Sequence, residues 1–367
     1  MGGAPRVAVC SFRLGPNDGV SVVARTWMDT LAQAGFEVVT VTGADAPEGQ
    51  VEPHRRVDGL GIPDPGATDP PGPDRDALAG ALADADLVVV ENALTIPLHL
   101  PASRALAAEL AGRPTLVHHH DPPWERERFA HVTELPADDP AWRHVAITGP
   151  LARELAGRCG IDAVVIPNGF AVPGPEAPVV AARRRAATRA LLDVADGEAL
   201  LAHPVRAIAR KGVPAAVALA EQVGATYWLL GPAEEGYGPE LERILAGARC
   251  RVLHRPVAAT ADIYAAADHV LFPSTWEGFG NPPIEAALHR RTVTVGHYPA
   301  ADDLRAQGFR WYGPTDAASV RAVLDAPSSS EVRAVVDHNR RLAEERFSLE
   351  RVAAQLLDLL DGAGWLP

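Results

Sequence analysis

One pattern occurs twice in this chain: an apolar strand, a loop, a helix and a second apolar strand. The first copy starts at Arg6–Phe12 (RVAVCSF) and passes through a short loop, Leu14–Gly19. A helix follows over Val20–Ala34, with Val23, Trp27 and Leu31 at helical spacing and Gly35 as its C-cap, then a strand over Phe36–Thr42. The second copy has a strand at Ala199–His203, a basic loop at Pro204–Gly212, a helix at Val213–Val223 and a strand at Ala225–Gly231. These strands are apolar throughout. A sheet with one wet face would alternate polar and apolar positions, so both faces must be covered, which calls for parallel strands between helical layers. One such unit at the head of each half predicts an α/β protein of two similar doubly wound domains. The similarity is one of architecture; no residue-level repeat accompanies it.

The remaining chain fits that plan. Helices are expected at Ala77–Ala85, Pro101–Ala111 and Pro150–Cys159, and strands at Leu87–Glu91, Pro114–His118, within Pro140–Ile147 and at Ala163–Pro167. Ala44–Asp74, rich in Pro, Gly and Asp, reads as an irregular excursion. Pro173–Pro178 (PGPEAP) is the best linker, and Ser348–Leu360 is a helix with Val352, Leu356 and Leu359/Leu360 on one face. A length of 367 residues suits two domains. The expected division is 1–174, 175–345 and a C-terminal helix, 346–367, that packs back on the first domain.

Composition narrows the function. The net charge of −13 repels phosphate backbones and anionic bilayers, so nucleic-acid binding is not expected. No apolar run has the length of a membrane span, and the start MGGAPRVAVCSF lacks the apolar stretch of a secretory signal. The three cysteines, Cys10, Cys159 and Cys250, are widely spaced and form no metal-ligand pair. A cytoplasmic setting is the resulting expectation. Among 34 basic residues the only lysine is Lys211. Arginine richness is ordinary codon bias, but a lone compact point charge is worth locating.

Four segments carry chemistry. In Leu271–Glu285 (LFPSTWEGFGNPPIE) a strand runs into a loop with Glu277, Gly278, Gly280 and Asn281, and Pro282-Pro283 opens a helix that holds Glu285. Free N–H groups at that helix start suit a diphosphate or sugar oxygens, and the two carboxylates could accept hydroxyl hydrogen bonds. The second segment, with Arg206, Arg210 and Lys211, sits between a strand and a helix, where doubly wound sheets bind ligands. A cationic pair there could neutralise a leaving diphosphate without a metal. As bare residues, both segments could equally be solvated loops. The third, Leu14–Gly19, has only Gly15 and Gly19 and fails as a dinucleotide fingerprint, which disfavours a dehydrogenase. The fourth is His118-His119-His120-Asp121. Neighbouring strand side chains point to opposite faces, so three successive histidines do not make a metal site, and one histidine is expected as a polar contact. The pairs Asp84/Asp86 and Asp74/Asp76 read as solvated faces, not as a metal–diphosphate motif.

In this order the segments resemble the GT-B glycosyltransferases, specifically the retaining family-4 group. Glu277 and Glu285, eight positions apart, match the family's E-x7-E pattern, and Arg206 with Lys211 matches its basic pair. Gly19 falls where the family has a glycine-rich loop, although the usual glycine pair is Asp18-Gly19 here, and His120 falls where it has a histidine. The stretch from HHHDPPWERERF onward is similar to a subgroup of actinobacterial family-4 enzymes whose proposed acceptors are small glycosides or glycerate-type molecules.

The resemblance implies two Rossmann-like domains facing a cleft and transfer of a sugar, with retention, from a nucleoside-diphosphate sugar to a small hydroxyl acceptor. It implies no cofactor and no required metal. His120, Arg206, Lys211 and Glu277 would be catalytic. Gly19, Arg206, Lys211, Glu277, Gly278, Phe279, Gly280, Asn281 and Glu285 would hold the donor, with Glu285 on the ribose and Glu277 on the sugar. Glu91, Trp124 and Arg126 would hold the acceptor. A GT-B epimerase or phosphorylase, or a non-catalytic nucleotide-sugar binding protein, is the alternative.

Overall fold

The structure is a computed structural model that describes residues 3–15, 19–46, 53–64, 66–257 and 259–367. The chain forms two compact units, Met1–Gly169 with Leu349–Pro367, and Phe170–Ser348. The division expected at 174/175 thus falls at 169/170, and the returning C-terminal segment starts at Leu349 rather than at 346.

Unit 1 holds β1 (Arg6–Cys10), α1 (Gly19–Gln33), β2 (Glu37–Thr42), β3 (His54–Arg56), α2 (Arg75–Leu82), β4 (Leu87–Glu91), α3 (Leu100–Leu110), β5 (Thr115–His119), β6 (Trp142–Ala146), α4 (Gly149–Cys159) and β7 (Ala163–Val165). Its parallel sheet has the order β3-β2-β1-β4-β5-β6-β7. Unit 2 holds α5 (Pro178–Leu191), β8 (Leu200–His203), α6 (Val213–Val223), β9 (Thr226–Leu229), α7 (Gly238–Ala246), β10 (Val252–His254), α8 (Thr260–Ala266), β11 (His269–Phe272), α9 (Asn281–Leu288), β12 (Val293–Val295), α10 (Pro299–Ala306), α11 (Ala317–Asp325) and α12 (Ser330–Phe347). Its parallel sheet has the order β10-β9-β8-β11-β12. The last helix, α13 (Leu349–Gly362), belongs to unit 1.

Each sheet separates two cores. Along β1, Val7 and Val9 face α1 and α13 with Trp27, Leu31, Val352, Leu356 and Leu360, while Ala8 and Cys10 face Leu78, Leu82 and Leu106 of α2 and α3. Along β8, Leu201 packs with Val217 and Ala220 of α6, while Leu200 and Ala202 pack with Trp228 and Ala266. The period of two that alternates side chains across a strand thus buries both faces. Val352, Leu356 and Leu360 of α13 are buried, at about 1.5–3 kcal/mol each. That burial ties the last helix to the first unit.

Strand order also opens a crevice in each unit. It reverses between β1 and β4 in unit 1 and between β8 and β11 in unit 2, and loops leaving neighbouring strands in opposite directions open a crevice there.

Candidate active site

In unit 2 the crevice lies between the loops after β8 and β11. The loops are stitched by a hydrogen bond from the Thr275 amide to the Arg210 carbonyl, 2.9 Å. Gly212 makes this approach possible: it has φ +70°, and a Cβ there would lie 2.4 Å from the Pro273 carbonyl oxygen. Glu277, 8% exposed, is therefore held between two cations. Lys211 Nζ donates to its Oε1 and Arg210 to its Oε2, both at 2.6 Å. Arg210 also donates to the Trp276 carbonyl. Burial pushes the Lys211 ammonium below its usual range, and Glu277 offsets part of that.

Gly280 caps α9 with φ +97°, and a Cβ there would come 2.5 Å from the Tyr298 hydroxyl. Asn281, Pro282 and Pro283 then open the helix. Glu285, one turn in, accepts a 2.6 Å hydrogen bond from the Tyr264 hydroxyl. Burial raises the Glu285 carboxyl, and the Tyr264 bond only partly counters it. Tyr264 is stacked on His289, with ring centroids 4.8 Å apart.

In unit 1 the corresponding place is occupied by histidines. Glu91 ends β4 at 0% exposure. Its carboxylate accepts from His118 Nδ1 at 3.0 Å and His120 Nε2 at 2.9 Å. Burial works to raise the Glu91 carboxyl, but the two imidazoles outweigh it and hold it down to about 2. His118 is stacked on Trp27 of α1 at 3.9 Å. Asn92, with φ +63°, receives the His120 and Asp121 amides on its side-chain oxygen and donates to the Asp121 carboxylate. The middle histidine points the other way, into a chain Thr95–His119–His144–Asp138. Beyond the strand, Trp124 Nε1 donates to Glu154 at 2.6 Å under the Arg158 guanidinium, and Arg126 pairs with Asp121 at 3.3 Å.

Residues 17–172 match the family Glycosyltransferase Family 4. The mannosylglucosylglycerate synthase of Thermotoga maritima is 26% identical over 328 residues, covering 74% of this chain and 75% of that protein. Its counterpart from Petrotoga mobilis is 22% identical over 327 residues, covering 76% and 75%. The chain is a glycosyltransferase similar to Family 4, whose match covers less than half of its length. Among solved structures, Anabaena Alr3699/HepE in complex with UDP-glucose superposes with a TM-score of 0.74 at 19% identity, over 97% of this chain and 99% of that one. Sucrose-phosphate synthase (tll1590) from Thermosynechococcus elongatus gives 0.72 at 18%, over 98% of each chain. These two likenesses show the fold.

The glycosyltransferase brings only part of the expected donor set together. Lys211 and Glu277 meet directly. Arg206 does not join them: it is half-exposed and paired with Glu234 at 2.6 Å. Phe279, expected beside the donor sugar, is 5% exposed and packs its ring against Phe170 and Phe347, which makes it a core residue of unit 2. Glu91, expected as an acceptor contact, is fully buried against His118 and His120, so it faces the histidines and not a ligand. Gly19 opens α1 at an exposed position where a Cβ would meet nothing within 4 Å, while Asp18, like Pro16 and Asn17, lies outside the described residues.

Sequence reading named Arg210 only as part of the basic segment and gave no site role to Asn92 or Tyr264; these three hold Glu277, His120 and Glu285 through contacts distant in sequence. Alternation could have revealed one grouping. His118 and His120 are two positions apart on one face, and Glu91 supplies a distant carboxylate. The ligand atoms of these three lie within 4.8 Å of one another, a donor set of the kind that holds a divalent ion. Those same atoms are engaged in hydrogen bonds with each other. His118 Nε2 lacks the acceptor that steadies a metal-bound imidazole. The Asp pairs read as solvated serve structure: Asp84 binds Arg6 and Arg55, and Asp74 caps α2 through the Ala77 amide.

Proposed function

We propose that this glycosyltransferase moves a sugar from a nucleoside-diphosphate donor to a hydroxyl of a small glycoside- or glycerate-type acceptor, with retention at the anomeric carbon and without a metal. The observation that carries the reading is the Lys211–Glu277–Arg210 group at the strand-order reversal of unit 2. A donor diphosphate draws Lys211 from Glu277. The freed Glu277 oxygen then accepts sugar hydroxyls, while Arg210 keeps the other oxygen in place. Arg206 leaves the exposed Glu234 to join Lys211. Glu285, steadied by Tyr264, accepts the ribose hydroxyls, and the amides at the start of α9 add a positive end.

As the bond from the anomeric carbon to the diphosphate oxygen breaks, the electron pair stays with the diphosphate. Lys211 stabilises the charge that develops there. The acceptor oxygen bonds to the same face of the sugar, and its proton passes to the departing diphosphate oxygen. His120, Trp124 and Arg126 of unit 1 supply polar contacts for the acceptor. Support for a glycerate-type acceptor comes from the two mannosylglucosylglycerate synthases, which match about three quarters of this chain.

The test is a panel of nucleotide sugars with glycerate-type acceptors in excess chelator, with product configuration read by NMR. Transfer with the donor's own anomeric configuration is expected. An inverted product, or activity that vanishes with chelator and returns with Mg²⁺ or Mn²⁺, overturns the mechanism. Failure with every small acceptor overturns the acceptor class.

A further inference from the structure

Unit 2 carries a second cationic feature that the transfer reading does not use. A cleft of about 960 Å³, a volume suited to a small ligand, opens between α5, α9 and α12. Six arginines line it, Arg184, Arg185, Arg290, Arg291, Arg333 and Arg340, and Glu176 is the only lining carboxylate. In a chain of net charge −13 this is a local reversal of sign.

Part of that charge is balanced from behind. Asp262 pairs with Arg184, Asp268 is shared by Arg185 and the buried Arg189, Asp337 pairs with Arg290, and Glu344 with Arg340. Seven guanidiniums thus stand against five carboxylates, and four of those five lie outside the lining. Among the described residues, Arg291 and Arg333 donate to backbone carbonyls alone, Arg291 to Tyr264 and Ala265 and Arg333 to Ser328. A planar guanidinium with no carboxylate hydrogen-bonded to it has donor forks matched to phosphate oxygens. His289, in the same lining, reports the field. Burial, then Arg291, Arg340 and Arg184, push its imidazole down to about 4, as a cationic surrounding must.

We infer that this cleft binds a small multivalent phosphate, at a site distinct from the Lys211–Glu277 group. Two phosphoryl groups fit the volume and meet cations from α5, α12 and the turn after α9. Binding would supply the negative charge that the lining lacks. The ligand would also touch His289, whose ring stacks on Tyr264, the residue that holds Glu285. Anion binding in the cleft stands without the donor reading; only the link to Glu285 rests on it.

Inorganic pyrophosphate, without divalent metal and at constant ionic strength, is the probe. It is titrated calorimetrically into the full chain, into the double variant Arg290→Gln/Arg333→Gln and into Lys211→Ala. Arg290 and Arg333 are exposed, so the fold should persist, which thermal melting checks. Binding is expected to survive in Lys211→Ala and to weaken by about tenfold or more in the double variant. Arg333→Glu alone should give a comparable loss. In the wild type and in Lys211→Ala, the His289 ring should titrate at higher pH once pyrophosphate is bound. Equal affinity in the wild type and the double variant overturns the site, as does a His289 resonance that ignores pyrophosphate. Complete loss of binding in Lys211→Ala would show that the Lys211–Glu277 site alone had bound the probe.

Discussion

The two units place a carboxylate at equivalent points and treat it in opposite ways. Glu91 ends β4, and Glu277 follows β11; each strand is the one beside which its sheet reverses order. Glu91 is enclosed by His118 and His120, whose charge depends on pH. Glu277 is enclosed by Arg210 and Lys211, two basic side chains against one carboxylate. The same topology therefore makes a buried carboxylate–histidine cluster in unit 1 and a site with surplus positive charge in unit 2. Only the second has charge to offer a diphosphate.

The strongest test of that contrast is Lys211→Ala. On the proposed reading kcat falls 10²–10³-fold, or about 3–4 kcal/mol, while nucleotide Kd changes little, because the lysine acts mainly on charge that develops as the bond breaks. Lys211→Arg should rescue only in part, since a planar fork does not replace a point charge. Unchanged kcat in the alanine variant would remove Lys211 from the reaction.

Next, Glu91→Gln should cost stability and leave donor affinity alone. The charged acceptor of two buried hydrogen bonds becomes a neutral amide, a loss of about 1–3 kcal/mol in urea unfolding. Weakened nucleotide binding in this variant would blur the division of labour between the two units.

Acid should weaken both units, since burial lowers His118, His119 and His144 of unit 1 as it does the histidines of unit 2. Burial holds His203 and His269 of unit 2 to about 3, so each stays neutral in the fold and protonates near its ordinary value when unfolded. The unfolded state then binds the extra protons. The stability these residues confer is whole above about pH 6.5 and drains as pH falls toward 3, at ~1.4 kcal/mol per pH unit for each imidazole. Glu91 has the opposite charge type: its contribution is whole above about pH 4.5 and is lost as pH falls through about 2. Urea midpoints should start to fall just under pH 6.5. His269→Gln, which removes a ring bonded at both nitrogens to Thr292 and Thr294, should flatten that slope. An unchanged slope would show that His269 titrates normally in the fold.

The smallest effect concerns Trp124→Ala. Its indole is held by Glu154 and Arg158, all within unit 1. Nucleotide Kd should move by no more than about 0.5 kcal/mol, as for substitutions remote from a binding site, while acceptor KM rises. An equal loss of donor binding would place Trp124 with the wrong substrate.

Local pattern was enough to read the elements that recur. Leu87–Glu91 and Val213–Val223 were legible because continuous apolar runs and helical spacing are properties of consecutive residues. The returning helix was legible for the same reason, since Val352, Leu356 and Leu360 mark one face. By contrast, α5 follows directly on the expected linker, but its Arg-rich sequence has little apolar periodicity, and its arginines find their partners about 80 residues away in Asp262 and Asp268. The loops carrying Lys211 and Glu277 could be named from the sequence, whereas Gly212, which lets them approach, carried no local signal.

Residue order along the chain specifies the class of the fold and the chemical types gathered in its loops. Tertiary structure decided which of them meet. Only the order of strands brings Arg210 and Lys211 to opposite oxygens of Glu277, leaves Arg206 with Glu234, turns Phe279 into the core and closes His118 and His120 around Glu91. The reason is physical. Periodicity and turn chemistry act between neighbours in the chain, whereas a hydrogen bond or an ion pair depends on distances in space, and those are set only when the sheets assemble.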